Sequence, residues 1–262
     1  MDVKLKIITP AILLILVIQV AAQDTVNHKT VFPSGFFLGY GQGLYSVKDE
    51  YISREKYSGT LPYISLEWVR FRDKNGYRIK LEQRESGNIA NNSISADVQQ
   101  IVFNQDFIHF VGSFSLFSRN VYAYLGPSLQ FLQYDIRYNF VNPGTFISPR
   151  TSGYIGSLGI NTEFVYLVNS KFFVEGFLRS NLLALSGKDI DAQKYEDDPG
   201  PALLSVFTAT KLDVDLYVRY YPVKRISISL GYKFDLSRIS KWDPYIAASD
   251  NLIISLNFKF RP

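Results

Sequence analysis

From Arg225 to Asp235 apolar and polar residues alternate without a break. Ile226, Ile228, Leu230, Tyr232 and Phe234 fall on one side, and Arg225, Ser227, Ser229, Gly231, Lys233 and Asp235 on the other. Successive side chains of a β-strand point to opposite faces, so this period of two predicts a two-faced strand. The same rhythm returns along most of the chain. Strands are predicted at about 35–47, 60–72, 76–86, 98–117, 120–138, 152–168, 171–186, 203–221, 224–238 and 250–260. No sustained helical periodicity follows Gln23.

The connections alternate between short and long. Asp73-Lys74-Asn75-Gly76, Ser118-Arg119-Asn120, Val168-Asn169-Ser170-Lys171 and Pro222-Val223-Lys224-Arg225 read as tight turns. The segments 48–59, 87–97, 139–151, 187–202 and 239–249 read as loops. So many long two-faced strands exceed what one small core can bury. Their apolar faces are also rich in rings. Together these features predict an all-β fold, an antiparallel up-and-down transmembrane barrel with lipid outside and polar groups inside. About ten strands are expected, with eight as the alternative. An even number places both termini on the side of the short turns, the periplasmic side in such barrels.

Facing assigns the interior. Arg78, Lys80, Glu82 and Arg84 share a face in the third strand, opposite Ile79 and Leu81. Lys211, Asp213, Asp215 and Arg219 oppose Leu212, Val214, Leu216 and Val218 in the eighth. With Glu67, Glu163, Glu175, Arg179, Arg225, Lys233, Asp235 and Lys259 these residues form the expected lumenal set. Gly39, Gly41 and Gly43 share a face of the first strand, where the wall bends or the lumen is crowded. In the fifth strand the apolar face shifts near Phe131–Gln133, which a bulge or an extension above the membrane would explain. The pattern is weakest over 93–106.

The first residues change the setting. Lys4 and Lys6 precede an apolar run from Ile7 to Val20, and Val20 and Ala22 suit the small-residue cleavage rule. Residues 1–22 are therefore expected to be a secretory signal peptide, 23–33 a periplasmic leader and 34–262 the barrel. The run is shorter than the roughly 20 apolar residues of a spanning helix. The chain has no Cys, hence no disulfide and no lipidated cysteine. Aromatic residues make up 15% of it, which suits the aromatic girdles of a membrane barrel. The net charge of +4 comes from interspersed charges of both signs in an exported chain, so nucleic acid is not an expected partner.

The same pattern bears on catalytic and metal sites. The two histidines are His28, in the leader, and His109, on the fourth strand on one face with Ser113 and Ser115. A serine four residues along a strand lies about 13 Å away, too far for a nucleophile and its base. His109 therefore reads as a lumenal histidine bonded to neighbours. Asp213 and Asp215 form an acidic pair, but Lys211 and Arg219 beside them suggest ion pairing. Asp189, Asp191, Glu196, Asp197 and Asp198 read as a solvated acidic loop, without the spacing of a calcium hand. No cofactor, metal site or enzymatic activity is expected.

Three features carry a resemblance. They are the signal ending Val20-Ala21-Ala22-Gln23, the segment Tyr122-Ala123-Tyr124-Leu125-Gly126-Pro127-Ser128-Leu129, and the closing strand Leu252–Phe260. On these the chain resembles the small bacterial outer-membrane β-barrel proteins grouped as porin-family or OmpA-like barrels. The closing strand resembles the signal read by the barrel-assembly machinery, although Arg261 and Pro262 follow the aromatic residue. The resemblance implies an outer-membrane location, contact with outer-membrane lipids and lipopolysaccharide, and a monomer. No peptidoglycan-binding domain is expected after the barrel. Two functions fit: a small porin-like passive channel, or a non-conducting barrel whose loops bind a partner, surface ligand or secretion component. A hydrolase fits less well. A conducting lumen would make Lys80 and Arg84 determinants of ion selectivity. In the second case, loops 48–59, with Tyr51 and Tyr57, and 187–202 would be the binding surfaces. The mixed charges also allow a closed, salt-bridged interior, because a ten-stranded barrel is only slightly wider than one filled by side chains.

Overall fold

The computed structural model describes residues 34–50, 53–72, 74–91, 94–139, 150–190, 201–223, 225–241 and 244–259. The expected signal and leader, and Phe260 to Pro262, lie outside these residues. The strands are β1 (Gly35–Asp49), β2 (Ser53–Arg72), β3 (Asn75–Ala90), β4 (Ser95–Leu116), β5 (Arg119–Tyr138), β6 (Arg150–Leu167), β7 (Phe172–Ile190), β8 (Ala202–Ser205), β9 (Ala209–Val223), β10 (Ile226–Ile239) and β11 (Tyr245–Lys259). Each pairs antiparallel with its neighbour. β1 closes on β11 from Gly35↔Lys259 to Asp49↔Tyr245. β8 adds to β7 beyond β9, so the wall is a closed ten-stranded antiparallel barrel. Closure leaves no unpaired edge along the wall, as a lipid solvent requires.

The stagger follows from the register. Paired residues run from Gly35 through Val69, Arg78, Asp106, Ser128 and Gly159 to Asn181. Asn181 Oδ1 accepts a hydrogen bond from the Lys211 amide, and the path continues through Ser237 and Ala247 to Val47. It returns to β1 twelve residues above its start. Such a stagger tilts the strands by about 35–45°.

Most strands run further toward the loop end than the pattern predicts. Between β1 and β2 only residues 50–52 are not strand, so the segment 48–59 is mostly wall. The predicted loops at 87–97 and 239–249 shrink in the same way. The weakly patterned 93–106 is regular from Ser95, with Val98, Gln100, Val102, Asn104 and Asp106 buried. The predicted strand 203–221 is interrupted at Val206–Thr208, where Phe207 stands out from the wall.

The shift expected in the fifth strand is an extension and not a bulge. Ser128, Gln130, Leu132, Tyr134, Ile136 and Tyr138 all point inward. Toward the loop end the lumen turns apolar while the outer wall turns polar, through Gln133, Asp135 and Arg137. Real irregularities lie elsewhere. One is between Phe110 and Gly112 in β4, and another opposes Leu158 and Gly159 to β7 near Leu182. The first separates Ser113 from the face of His109. His109 is exposed on the outer wall, with Nδ1 2.8 Å from Asn75 Oδ1, and is not lumenal.

Outside, an apolar belt circles the barrel. Leu44 is 67% exposed and Ile254 63%, and Leu38, Ile64, Leu81, Phe103, Leu129, Leu158, Leu216 and Leu230 continue it. A belt of this kind, about 25 Å tall in membrane barrels, faces lipid. Inside there are three layers. An aromatic floor at the turn end joins Tyr124, Phe173, Phe71, Phe110 and Tyr221. Charged and amide side chains fill the middle. At the loop end Tyr45, Val47, Tyr57, Leu61, Val98, Leu132, Tyr134, Ile136, Tyr138 and Tyr245 pack together. Tyr134 stacks on Tyr245 with centroids 4.3 Å apart, and Tyr57 meets Tyr138 edge-on at 5.0 Å.

Glycines let rings lie flat against the wall. Gly231 sits opposite Tyr217 in the register, and a Cβ there would overlap the Tyr217 ring. In β1 a Cβ at Gly43 would strike the Asp250 carbonyl, so the inward glycines of that strand mark close approach to its neighbour. The β4–β5 turn places Phe117 and Ser118 at φ 48° and 61°, the left-handed pair that a two-residue hairpin needs. Replacing Gly231 by Val should displace Tyr217 and lower stability by about 1–3 kcal/mol through overpacking. Urea unfolding in lipid vesicles measures this, and an unchanged midpoint would mean that the ring is not locked against the glycine.

Candidate functional site

The middle layer holds most of the chemistry of the described chain. Fourteen of the sixteen charges predicted for the lumen are buried there: Glu67, Arg78, Lys80, Glu82, Arg84, Glu163, Glu175, Arg179, Lys211, Asp213, Asp215, Arg219, Lys233 and Asp235. The other two are not. Arg225 lies in the β9–β10 turn and Lys259 ends β11, and both are exposed at the turn-end rim. Their parity matches the inward set, but they lie beyond the floor. Asp106, Asp49 and Lys188 join the buried charges without having been expected.

The charges interlock across the lumen. Near the floor Arg78 Nη1 and Nη2 donate to the two oxygens of Glu163, each at 3.0 Å, while Nε lies 2.6 Å from Glu67. Its guanidinium sits 4.0 Å from the centre of the Phe177 ring. Arg219 donates to Glu175 at 2.8 Å and covers Phe37 at 4.1 Å. In the centre Lys80 lies 3.0 Å from Asp215 and 2.9 Å from Glu82, and Lys233 approaches the same two carboxylates at 3.3 and 3.1 Å. Arg179 pairs with Asp106 at 2.8 Å, and the Ser128 hydroxyl donates to Asp106 at 2.7 Å.

Above this, Arg84 meets Asp235 at 2.5 Å and donates to Gln100 at 2.8 Å. Lys211 donates to Asp213 at 3.1 Å, and Gln130 donates to the same carboxylate at 2.7 Å. Lys188 on β7 reaches Asp49 on β1 at 2.6 Å. Half of these pairs, Arg78–Glu163, Lys80–Asp215 and Lys188–Asp49 among them, join strands that are not neighbours, so their side chains reach across the bore. Among the described residues eight buried cations face nine buried carboxylates, and each has an opposite charge within 4 Å.

Asp213 and Asp215 share a face, each is bound to a lysine, and among the described residues no histidine approaches them. Among the described residues no cluster of His, Asp or Glu has the form of a metal site. The acidic loop residues Asp191, Glu196, Asp197 and Asp198 lie outside the described residues. Tyr57, expected in a binding loop, is fully buried in the loop-end plug, and Tyr51 lies outside the described residues. The missed Asp106 lies inside the predicted strand 98–117, on the strict inward alternation of Val98, Gln100, Val102 and Asn104, the parity opposite to that of His109. Asp49 and Lys188 lie on strand extensions read as loops.

No family model matches the chain, and no curated protein matches it either. Solved structures do. The outer membrane protease OmpT from Escherichia coli aligns with TM-score 0.49 and 8% identity, over 90% of this chain and 100% of that one. The translocator domain of the autotransporter NalP from Neisseria meningitidis aligns with TM-score 0.48 and 10% identity, over 96% and 97%. Neisserial surface protein A aligns with TM-score 0.39 and 13% identity, over 87% and 99%. At these identities the likeness is one of barrel architecture.

Replacing Arg78 by Ala should strand Glu67 and Glu163 in the interior and cost about 3–5 kcal/mol, the penalty of breaking a buried pair. Urea unfolding in vesicles reads the difference. In a water-filled bore the same change would cost less than about 1 kcal/mol, as for exposed pairs.

Proposed function

We propose that the protein is a sealed barrel of the bacterial outer membrane, neither a diffusive pore nor an enzyme, whose function is carried at its loop end by binding a partner. The observation that carries this is the filled bore. A solute would have to pass the Tyr45–Tyr134–Tyr245 plug, the ion-pair lattice and the aromatic floor in turn. Each buried charge has an opposite charge within 4 Å, and moving it away from that partner costs several kcal/mol. The lipid-facing belt and closed wall support the membrane location.

The loop-end rim is built for polar contacts. Arg150 binds Asp135 through Nε at 2.9 Å and Nη2 at 2.6 Å, and Arg54 and Lys56 stand exposed at the loop end of β2. Lys48 donates to Glu50 at 2.6 Å, and that hydrogen bond holds the Glu50 carboxyl below its ordinary range. Asn91 donates to Glu55. Such a rim of both signs suits a polar protein or saccharide surface. Contact with lipopolysaccharide and recognition of the closing strand by the barrel-assembly machinery belong to the same proposal.

The test is current through the folded protein in a planar bilayer. The proposal expects no stable, salt-dependent steps from protein shown to be folded and inserted. Reproducible ohmic steps that change selectivity on Lys80→Ala or Arg84→Ala would overturn it in favour of a pore.

A further inference from the structure

The turn end carries a charge pattern for which the sealed interior has no use. Arg70 and Arg72 on β2, Lys74 in the next turn, Arg119 opening β5, Lys171 before β7 and Arg225 before β10 are all exposed. None makes an ion pair among the described residues, and no described Asp or Glu lies on this rim; Asp73 and Lys224 fall outside them. The loop end differs, since Lys48 has Glu50 there, and Arg137 and Arg150 share Asp135. Charge is therefore segregated along the axis, not merely scattered over the surface.

Position identifies what these cations meet. Arg70 and Arg72 continue the outward row of Ile64, Leu66 and Trp68, the same row that faces lipid. Rings mark the border just above them. Trp68 and Tyr77 lie 5.6 Å apart, Tyr77 and Phe107 5.1 Å, and Phe172 stacks on Tyr220 at 4.5 Å. Aromatic side chains favour the level where hydrocarbon gives way to headgroups. Long basic side chains can lie along an apolar wall and place their charge in that layer. The cations stand on four of the turn-end connections, around the circumference. A soluble anionic partner would meet one side of such a ring, whereas a lipid leaflet surrounds it.

We propose that this basic collar binds the phosphate groups of anionic phospholipids in the leaflet at the turn end. It fixes the depth of the barrel by charge below the belt, as the rings do at its border. Each cation near an anionic surface contributes on the order of a fivefold change in the equilibrium. The attraction is screened within a Debye length by salt.

The experiment is urea unfolding of the chain in phosphatidylcholine vesicles with and without phosphatidylglycerol. Wild type is compared with Arg70→Gln/Arg72→Gln/Lys171→Gln/Arg225→Gln. A loop-end control is Arg54→Gln/Lys56→Gln/Arg137→Gln/Arg238→Gln. Phosphatidylglycerol should favour folded wild type by at least about tenfold at low salt, the gain shrinking at high salt. The turn-end variant should lose most of that gain, and the loop-end control should keep it. Unfolding in pure phosphatidylcholine separates loss of lipid binding from a general folding defect. Inorganic phosphate at matched ionic strength should not replace the lipid. A turn-end variant that keeps the full gain, a control that loses as much, or a wild type without any gain would overturn the proposal.

Discussion

A charge inside a membrane-spanning barrel must find its opposite there, because bringing an ion out of water costs far more than one surface contact returns. That requirement organises this molecule. Arg78 is held by two glutamates, and Lys80 and Lys233 share Glu82 and Asp215. Arg78–Glu163, Lys80–Asp215 and Lys233–Glu82 join strands that are not neighbours, so satisfying these charges also fills the bore. The register must then be right on every strand, since a slip of one residue would turn each lysine and aspartate toward lipid. The inner lattice and the outer belt thus specify the same register from two sides.

The strands obey one alternation under two solvents. Within the belt the outer face is apolar and the inner face charged. Toward the loop end β5 presents Gln133 and Arg137 outward and Leu132, Tyr134 and Ile136 inward. That is the arrangement of a soluble barrel, expected where water replaces lipid on the outside. The ion pairs lie between the apolar layer above and the aromatic floor below. Low local polarity strengthens those pairs and raises the cost of leaving any one unmade. The three layers therefore depend on one another.

The fold was largely legible, because a period of two over long segments leaves few alternatives. Arg78 to Arg84 and Lys211 to Asp215 could be assigned to the interior from parity alone. Parity does not tell how far along the axis a residue sits, and Arg225 and Lys259, inward by parity, lie beyond the end of the lumen. Single-residue irregularities were invisible for the same reason. One extra residue near Val111 reverses facing without changing composition, and it set His109 on the outer wall. The extent of the strands was hidden by the inversion above the membrane. There Tyr57 looked like an exposed loop aromatic, although it is a core residue. Which charges pair was also beyond the pattern, because the partners lie on distant strands.

In the proposed sealed barrel, function moves to the two ends, one of mixed charge with the longer connections, the other basic. That division rests on the absence of a water path through the middle layer. The chain has no cysteine, so one can be placed there without background. The direct measurement is the reaction of a small charged thiol reagent with Ser249→Cys, at a buried position beside Asp235, against Ser58→Cys on the exposed outer wall. The sealed barrel predicts rapid labelling at position 58 and none at 249 while the protein stays folded. Equal labelling of both would contradict it.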